Sequence, residues 1–220
     1  MSNKFRYEEF TWPEIREAVA MAPPQFMVNV AVNTRRQITA VWAGHYLQAH
    51  EVGCRFVAEH ATRPVEEPFD IVITTNSGYP LDQNLYQTVK GMSAAARIVK
   101  PGGAIIAVSE CSDGLPEHGN FKQLLRMRRT PHELLEMIEA PGFELYDQWE
   151  AQSQALVQRR AEIYLYSSLD PQTVRDAMLT PIASIEPTLA MLLERYGRDA
   201  RVAVLPEGPQ TVPYLLEAVA

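Results

Sequence analysis

Two polar residues three positions apart, Gln87 and Lys90, form the most suggestive pair in the 220-residue chain. On a helix turning about 100° per residue they project within about 60° of each other. Leu85, Val89, Met92, Ala96 and Val99 recur at spacings of three and four and make an apolar stripe on the opposite side. One face packs, and the other carries an amide beside an ammonium. With Asp82 as the N-cap, both would lie in the first turns, where free backbone N–H groups and the helix dipole favour an anion. That chemistry suits a carboxylate or a phosphate. The plainer alternative is a solvated helix face, although a lysine is better placed in a last turn than near a helix start. Only four of the 20 basic residues are lysines.

The other chemistry-bearing residues are less well arranged. Cys111 shares a loop with Asp113 and His118, but a nucleophilic thiol needs a base in contact and a lowered pKa. A small buried cysteine beside a glycine-containing turn accounts for it as well. The five histidines, at positions 45, 50, 60, 118 and 132, include no i, i+4 pair, and no Cys-x-x-Cys accompanies them. No metal site built wholly from this chain is therefore expected. There is also no G-x-G-x-x-G, no G-K-[ST] phosphate loop and no G-x-S-x-G elbow.

The elements that must position these residues follow from the pattern around them. From Phe69 onward, short apolar β-branched runs alternate with helical segments. The strands are DIVITT (70–75), GAIIAVSE (103–110), AEIYLYS (161–167) and RVAVLP (201–206). Helices are predicted near 82–99, 119–139, 150–159, 171–178 and 187–196, with a last one after Pro209. This is the alternation of a three-layer α/β sandwich with a mostly parallel sheet. Ligands of such sheets bind at the carboxyl ends of the strands. The loops there are 76–83, 111–120, the turn after Ser167, and 207–211.

The first sixty residues read differently. FMVNVAVN (26–33) and QITAVWAG (37–44) predict a hairpin turned at Thr34, Arg35 and Arg36. A helix follows over 45–60, with Leu47, Val52, Phe56 and Val57 as its buried side. The proline- and glutamate-containing stretch 61–68 reads as a linker. The expected organisation is a hairpin and helix from a second, incomplete domain over 1–65, then an α/β domain over 66–220.

Composition narrows the function classes. The balance of 46% hydrophobic and 21% charged residues is that of a globular protein, and the formal charge of −7 disfavours general nucleic-acid or anionic-membrane binding. Two cysteines make no disulfide framework. No apolar run approaches the roughly 20 residues that span a bilayer, and the first ten residues lack a signal-peptide stretch. A cytoplasmic protein is expected.

Read in order, DIVITTNSGYPLDQNLYQTVKGMSAAARIVKPGGAIIAVSECSDG (70–114) resembles the C-terminal domain of the nickel-dependent lactate racemase family. The combined G-Y-P-L-D turn, N-L-Y-Q-x-x-K helix, K-x-G-G turn and E-C-x-D-G loop carry the resemblance. FMVNVAVN, VWAGHYLQAH (41–50) and DQWEAQ (147–152) extend it. It implies an isomerase acting on lactate or another 2-hydroxy acid, with a nickel pincer nucleotide as cofactor. By motif position, Gln87 and Lys90 match the residues that orient the substrate carboxylate, Tyr86 an aromatic of the active-site wall, and Trp149 a tryptophan closing the pocket. A core tryptophan is the alternative for Trp149.

The family's nickel-ligating histidine, cofactor-bearing lysine, acid/base histidines and carboxylate-binding arginine lie upstream of the matched part. None of the five histidines here stands in those motifs. The expectation is a chain that needs an N-terminal half, as a domain or a separate subunit, to racemise its substrate. Two other readings stand beside it. One is a non-catalytic carboxylate-binding or interaction domain. The other, prompted by A-R-I-V-K-P-G-G-A-I-I-A-V, is a Rossmann-like methyltransferase, against which the single glycine of the 76–83 loop argues.

Overall fold

The computed structural model describes residues 11–216, and they divide into two units that meet between Thr62 and Arg63. In the first unit a helix, α1 (Thr11–Ala20), precedes the antiparallel hairpin of β1 (Met27–Val32) and β2 (Ile38–Gly44). Its turn is organised by Asn33, whose side-chain oxygen accepts from the Arg35 and Gln37 amides, both at 3.0 Å. Helix α2 (Tyr46–Ala61) packs on the hairpin through only part of the predicted face, with Leu47 and Phe56 half-buried. Ala49 and Gly53 are its buried residues, while Val52 and Val57 are exposed. The cause is Trp42: a Cβ at position 53 would stand 3.2 Å from its ring, and Phe56 meets that ring edge-on at 5.3 Å. A large ring on β2 requires small residues opposite, and this overrides the hydrophobicity of the valines.

The second unit is built on a fully parallel five-stranded sheet with strand order β7-β6-β5-β4-β8. The strands are β4 (Phe69–Thr75), β5 (Val99–Val108), β6 (Ala161–Tyr166), β7 (Thr180–Ile182) and β8 (Val202–Leu205). Alternate residues of β4 serve opposite faces. Val72 joins the core with α3 (Leu85–Ala96), α4 (Phe121–Arg126), α5 (Pro131–Glu139), α6 (Gln148–Arg160) and α7 (Pro171–Asp176). Ile71 and Ile73 join the smaller core with α8 (Ile185–Tyr196). The three-layer α/β reading holds, with every pairing in this sheet parallel. Strand order reverses between β4 and β8, so the crevice for a ligand opens beyond the carboxyl end of β4.

Several local expectations are corrected. The stretch predicted as a linker contains β3 (Thr62–Val65), which pairs with β9 (Val212–Leu215). The helix predicted after Pro209 is a 3-10 turn, Gly208–Gln210, followed by that strand. The long helix predicted over 119–139 breaks into α4 and α5, because Thr130 and Glu133 form a reciprocal capping box with Pro131 at the first helical position. The strand β7 was not predicted. Helix α3 starts at Leu85 rather than near Asp82. No described helix is long and apolar enough to cross a membrane.

Candidate functional site

The loop from β4 to α3 is tied down at both ends. Buried Asn76 donates through Nδ2 to the Leu81 carbonyl and accepts through Oδ1 from the Gly91 amide at 3.1 Å. Gly91 is required there, since a Cβ would stand 2.4 Å from the Thr75 carbonyl oxygen. The turn itself passes through Ser77 and Gly78 with positive φ and a cis Tyr79–Pro80 peptide. Beyond it, the Asp82 carbonyl accepts from the Cys111 amide at 2.8 Å and the Ser109 hydroxyl at 3.2 Å. The Gln83 carbonyl accepts from Asp113 N at 2.7 Å. Loops 76–84 and 109–114, at the carboxyl ends of adjacent strands, are thereby zipped together.

This frame presents the start of α3. Its N-cap is Asn84, not Asp82: the Asn84 side chain accepts from Gln87 N at 3.0 Å, while the Asp82 carboxylate turns back to Glu110 N at 3.3 Å. Gln87 is half-buried and Lys90 exposed, and the Lys90 ammonium donates to Gln87 Oε1 at 2.5 Å. The two predicted residues are therefore brought together. Tyr86 is half-buried and meets Phe121 edge-on at 5.3 Å and Trp149 at 5.9 Å. Trp149 is 55% exposed, which removes the core-tryptophan alternative.

Two acids that sequence reasoning passed over stand behind Trp149. Asp147 is buried with φ of 66°, and its Oδ2 occupies space that only a glycine at 119 leaves open, 1.8 Å from where a Cβ would stand. Glu150, in the first turn of α6, is buried, and its Oε1 has no hydrogen-bond partner among the described residues. Burial pushes its carboxyl up to about 7, against the pull of Lys90 and with the push of Asp147. Burial first, then the charges of Asp147 and Glu150, raises the Tyr86 phenol to about 12. The only sequence signal was an acid three residues after Asp147, which is an ordinary helix start.

Cys111 is buried, and burial raises its thiol pKa. Its sulfur lies 3.5 Å from Thr88 Oγ1 and 3.4 Å from Ser109 Oγ, and the nucleophile reading gains no base. Among the described residues no group of three or more His, Cys, Asp or Glu side chains comes together that could hold a metal.

Residues 65–212 match the family described as the lactate racemase C-terminal domain. The chain belongs to that family. It is 36% identical over 190 residues to the lactate racemase of Thermoanaerobacterium thermosaccharolyticum, covering 85% of this chain and 44% of the relative. To the lactate racemase of Lactiplantibacillus plantarum it is 35% identical over 193 residues, covering 87% and 45%. Among solved structures, the lactate racemase apoprotein of T. thermosaccharolyticum superposes with a TM-score of 0.85 at 33% identity, over 94% of this chain and 49% of that one. A Thermotoga maritima protein at 13% identity and TM-score 0.60 shares the fold alone. This lactate racemase C-terminal domain chain thus spans about half the length of the relatives it matches. Membership displaces the methyltransferase reading. Gly102, with φ of 76° in the K-P-G-G stretch, serves the irregular entry into β5.

Proposed function

We propose that Gln87 and Lys90 hold the carboxylate of a 2-hydroxy acid, and that the chain is the substrate-binding half of a racemase of the lactate class. The observation that supports this most is the 2.5 Å contact of Lys90 Nζ with Gln87 Oε1 at the start of α3, close to the strand-order reversal. Lys90 spends its ammonium on a neutral amide oxygen. An incoming carboxylate is the stronger partner for that ammonium, and the Gln87 amide group, once released, can donate its own N–H to the second carboxylate oxygen. Tyr86 and Trp149 form an edge-to-face wall beside them that sets the side from which a small ligand enters.

Among the described residues no cluster of metal ligands comes together, and the resemblance places the seat of its nickel pincer nucleotide in the N-terminal half. The chemistry assigned to this chain is binding and orientation; hydroxyl-proton transfer and the cofactor seat belong to an N-terminal half. The hairpin gives that half a place to pack. Val28, Val30, Val32, Ile38 and Val41 are all exposed, while Ala31, Ala40 and Trp42 on the other side are partly covered. The register pairs Val30 with Val41 and Val32 with Ile38, making one open apolar face. Residues 1–65 are read as part of the neighbouring domain, and the chain alone as inactive.

Sodium lactate titrated into the chain and followed by Trp149 fluorescence tests the site. Lys90→Met, with helix content unchanged, should weaken binding by about tenfold or more, the worth of a charge-assisted hydrogen bond. Equal affinity in the variant would sink the carboxylate reading.

A further inference from the structure

Glu150 follows Trp149 directly in the first turn of α6, and that helix packs across α3, which carries Lys90. The residue is only 3% exposed, and its Oε1 accepts no hydrogen bond among the described residues. A carboxylate with one oxygen buried and unpartnered has lost hydration there without replacement, so its charge is costly and must be supported from nearby. The charges that act on it are the ammonium of Lys90 and the carboxylate of Asp147, and its own charge helps raise the Tyr86 phenol.

Charged groups on the other elements packed against α6 are engaged elsewhere. On α4, Arg126 pairs with Asp176 and Lys122 with Glu117. On α5, His132 lies 3.7 Å from Glu136, Glu133 caps its own helix, and Glu139 accepts from Gln152. On β5, Lys100 is bound to Asp70, and on β6, Glu162 to Arg195, with Tyr164 donating to Glu162. Lys90 is therefore the cation that supports an ionised Glu150.

An ammonium that already supports one buried carboxylate is a poorer receptor for a second. An anion at Lys90 withdraws the charge that supports Glu150, and the least costly response is for the Glu150 carboxylate to become neutral. We propose that Glu150 is a positioning residue that couples proton uptake to carboxylate binding: as the ligand's carboxylate takes Lys90, Glu150 takes one proton from solvent. The proton bonds to a Glu150 carboxylate oxygen, and the resulting O–H becomes a donor in the wall of the site. The coupling rests on the reading of Gln87 and Lys90 as the carboxylate holder. Its operating range is set by the carboxyl's position at about 7, where both protonation states are populated.

Calorimetric titration of the full chain with sodium lactate near neutral pH, in two buffers of different ionisation enthalpy, counts the protons taken up. A fraction of a proton per bound lactate is expected, with affinity falling on the order of tenfold between about pH 6 and about pH 8. Glu150→Gln should still bind lactate while losing both the uptake and the pH slope. Binding without uptake in the unsubstituted chain, or uptake that persists in folded Glu150→Gln, overturns the proposal. Should that variant fail to fold, carbon NMR of the Glu150 carboxyl in the unsubstituted chain decides. A midpoint near 7 that rises with saturating lactate is expected, and a midpoint that lactate leaves unmoved overturns the proposal. Absence of lactate binding at every pH removes the carboxylate holder and the coupling together, a different result from binding without uptake.

Discussion

The two ends of the parallel sheet handle charge in opposite ways. At the amino end every buried or half-buried charge has a partner. Asp70 accepts from Lys100 Nζ at 2.6 Å and from Arg201 N at 2.9 Å, and Arg160 donates to the Val99 carbonyl at 2.7 and 3.0 Å. Arg201 is bound to Glu67 and lies over the Phe69 ring. At the carboxyl end Glu150 is buried with its Oε1 unpartnered among the described residues, Asp147 is held in a left-handed conformation, and Lys90 rests on an amide. Charges are paired at one end, and a buried unpartnered carboxylate oxygen is kept at the other. Proteins retain such costs where a ligand can relieve them.

Backbone crowding sharpens the contrast most. At the carboxyl end Gly91 and Gly208 bring α3 and the 3-10 turn against Thr75, and a Cβ on Gly91 would collide at 2.4 Å with a carbonyl that cannot move aside. Gly91→Ala should therefore cost about 3 kcal/mol in denaturant unfolding. At the amino end Gly102 has φ of 76° but nothing within 4 Å of a Cβ, so Gly102→Ala should cost about 1 kcal/mol, from backbone conformation alone. Equal losses would break the comparison.

Glu150 gives the next largest effect. Its folded-state pKa of about 7 lies above the ordinary 4.5, so the folded chain binds more protons than the unfolded one between those values. The group's stability contribution is whole below about 4.5 and declines as pH climbs to about 7. Glu150→Gln, neutral throughout, should be more stable than the parent by about 2 kcal/mol at about pH 8 and no more stable at about pH 4. Thermal unfolding at those two pH values measures it. A variant that is no more stable than the parent at the higher pH would show that the carboxylate is not held at a cost.

The comparison also separates what the sequence could reveal from what it could not. Four of the five parallel strands were legible as short continuous apolar, β-branched runs such as DIVITT. The α3 face was legible because a helix places Gln87 and Lys90 opposite its apolar stripe whatever surrounds it. The capping box in T-P-H-E is also present in the sequence, at Thr130 and Glu133, but lies inside a longer helical pattern that masks the break. Other features depend on pairing across the chain. The strand over residues 62–65 exists through its partner at 212–215, roughly the whole unit away in sequence, and contains Pro64. Three residues of β7, one of them Pro181, make too short a run to read. Glu150 is an ordinary first-turn acid until α3 crosses α6 and buries it, so its burial lay in tertiary packing rather than in any local pattern.

Asp70 should show the smallest effect and the opposite pH signature. The hydrogen bond from Lys100 holds its carboxyl below the usual range, with the Arg201 amide adding to the same shift and burial opposing it. A depressed folded-state pKa contributes stability that is present above the ordinary value of 3.8 and is lost as pH falls through the lower folded value. The Lys100 side chain is 43% exposed, so solvent screening limits the pair, and Asp70→Asn should cost about 1 kcal/mol at neutral pH. The gap between parent and variant should close in acid, as pH falls well below the ordinary value of 3.8. Stability measured from acid to mildly alkaline pH should therefore show Asp70 contributing as pH rises and Glu150 detracting. If Asp70→Asn instead gained stability at neutral pH, as Glu150→Gln is expected to do, both ends would be carrying charge at a cost, and the carboxyl end would lose its distinction as the place where cost is kept for a ligand.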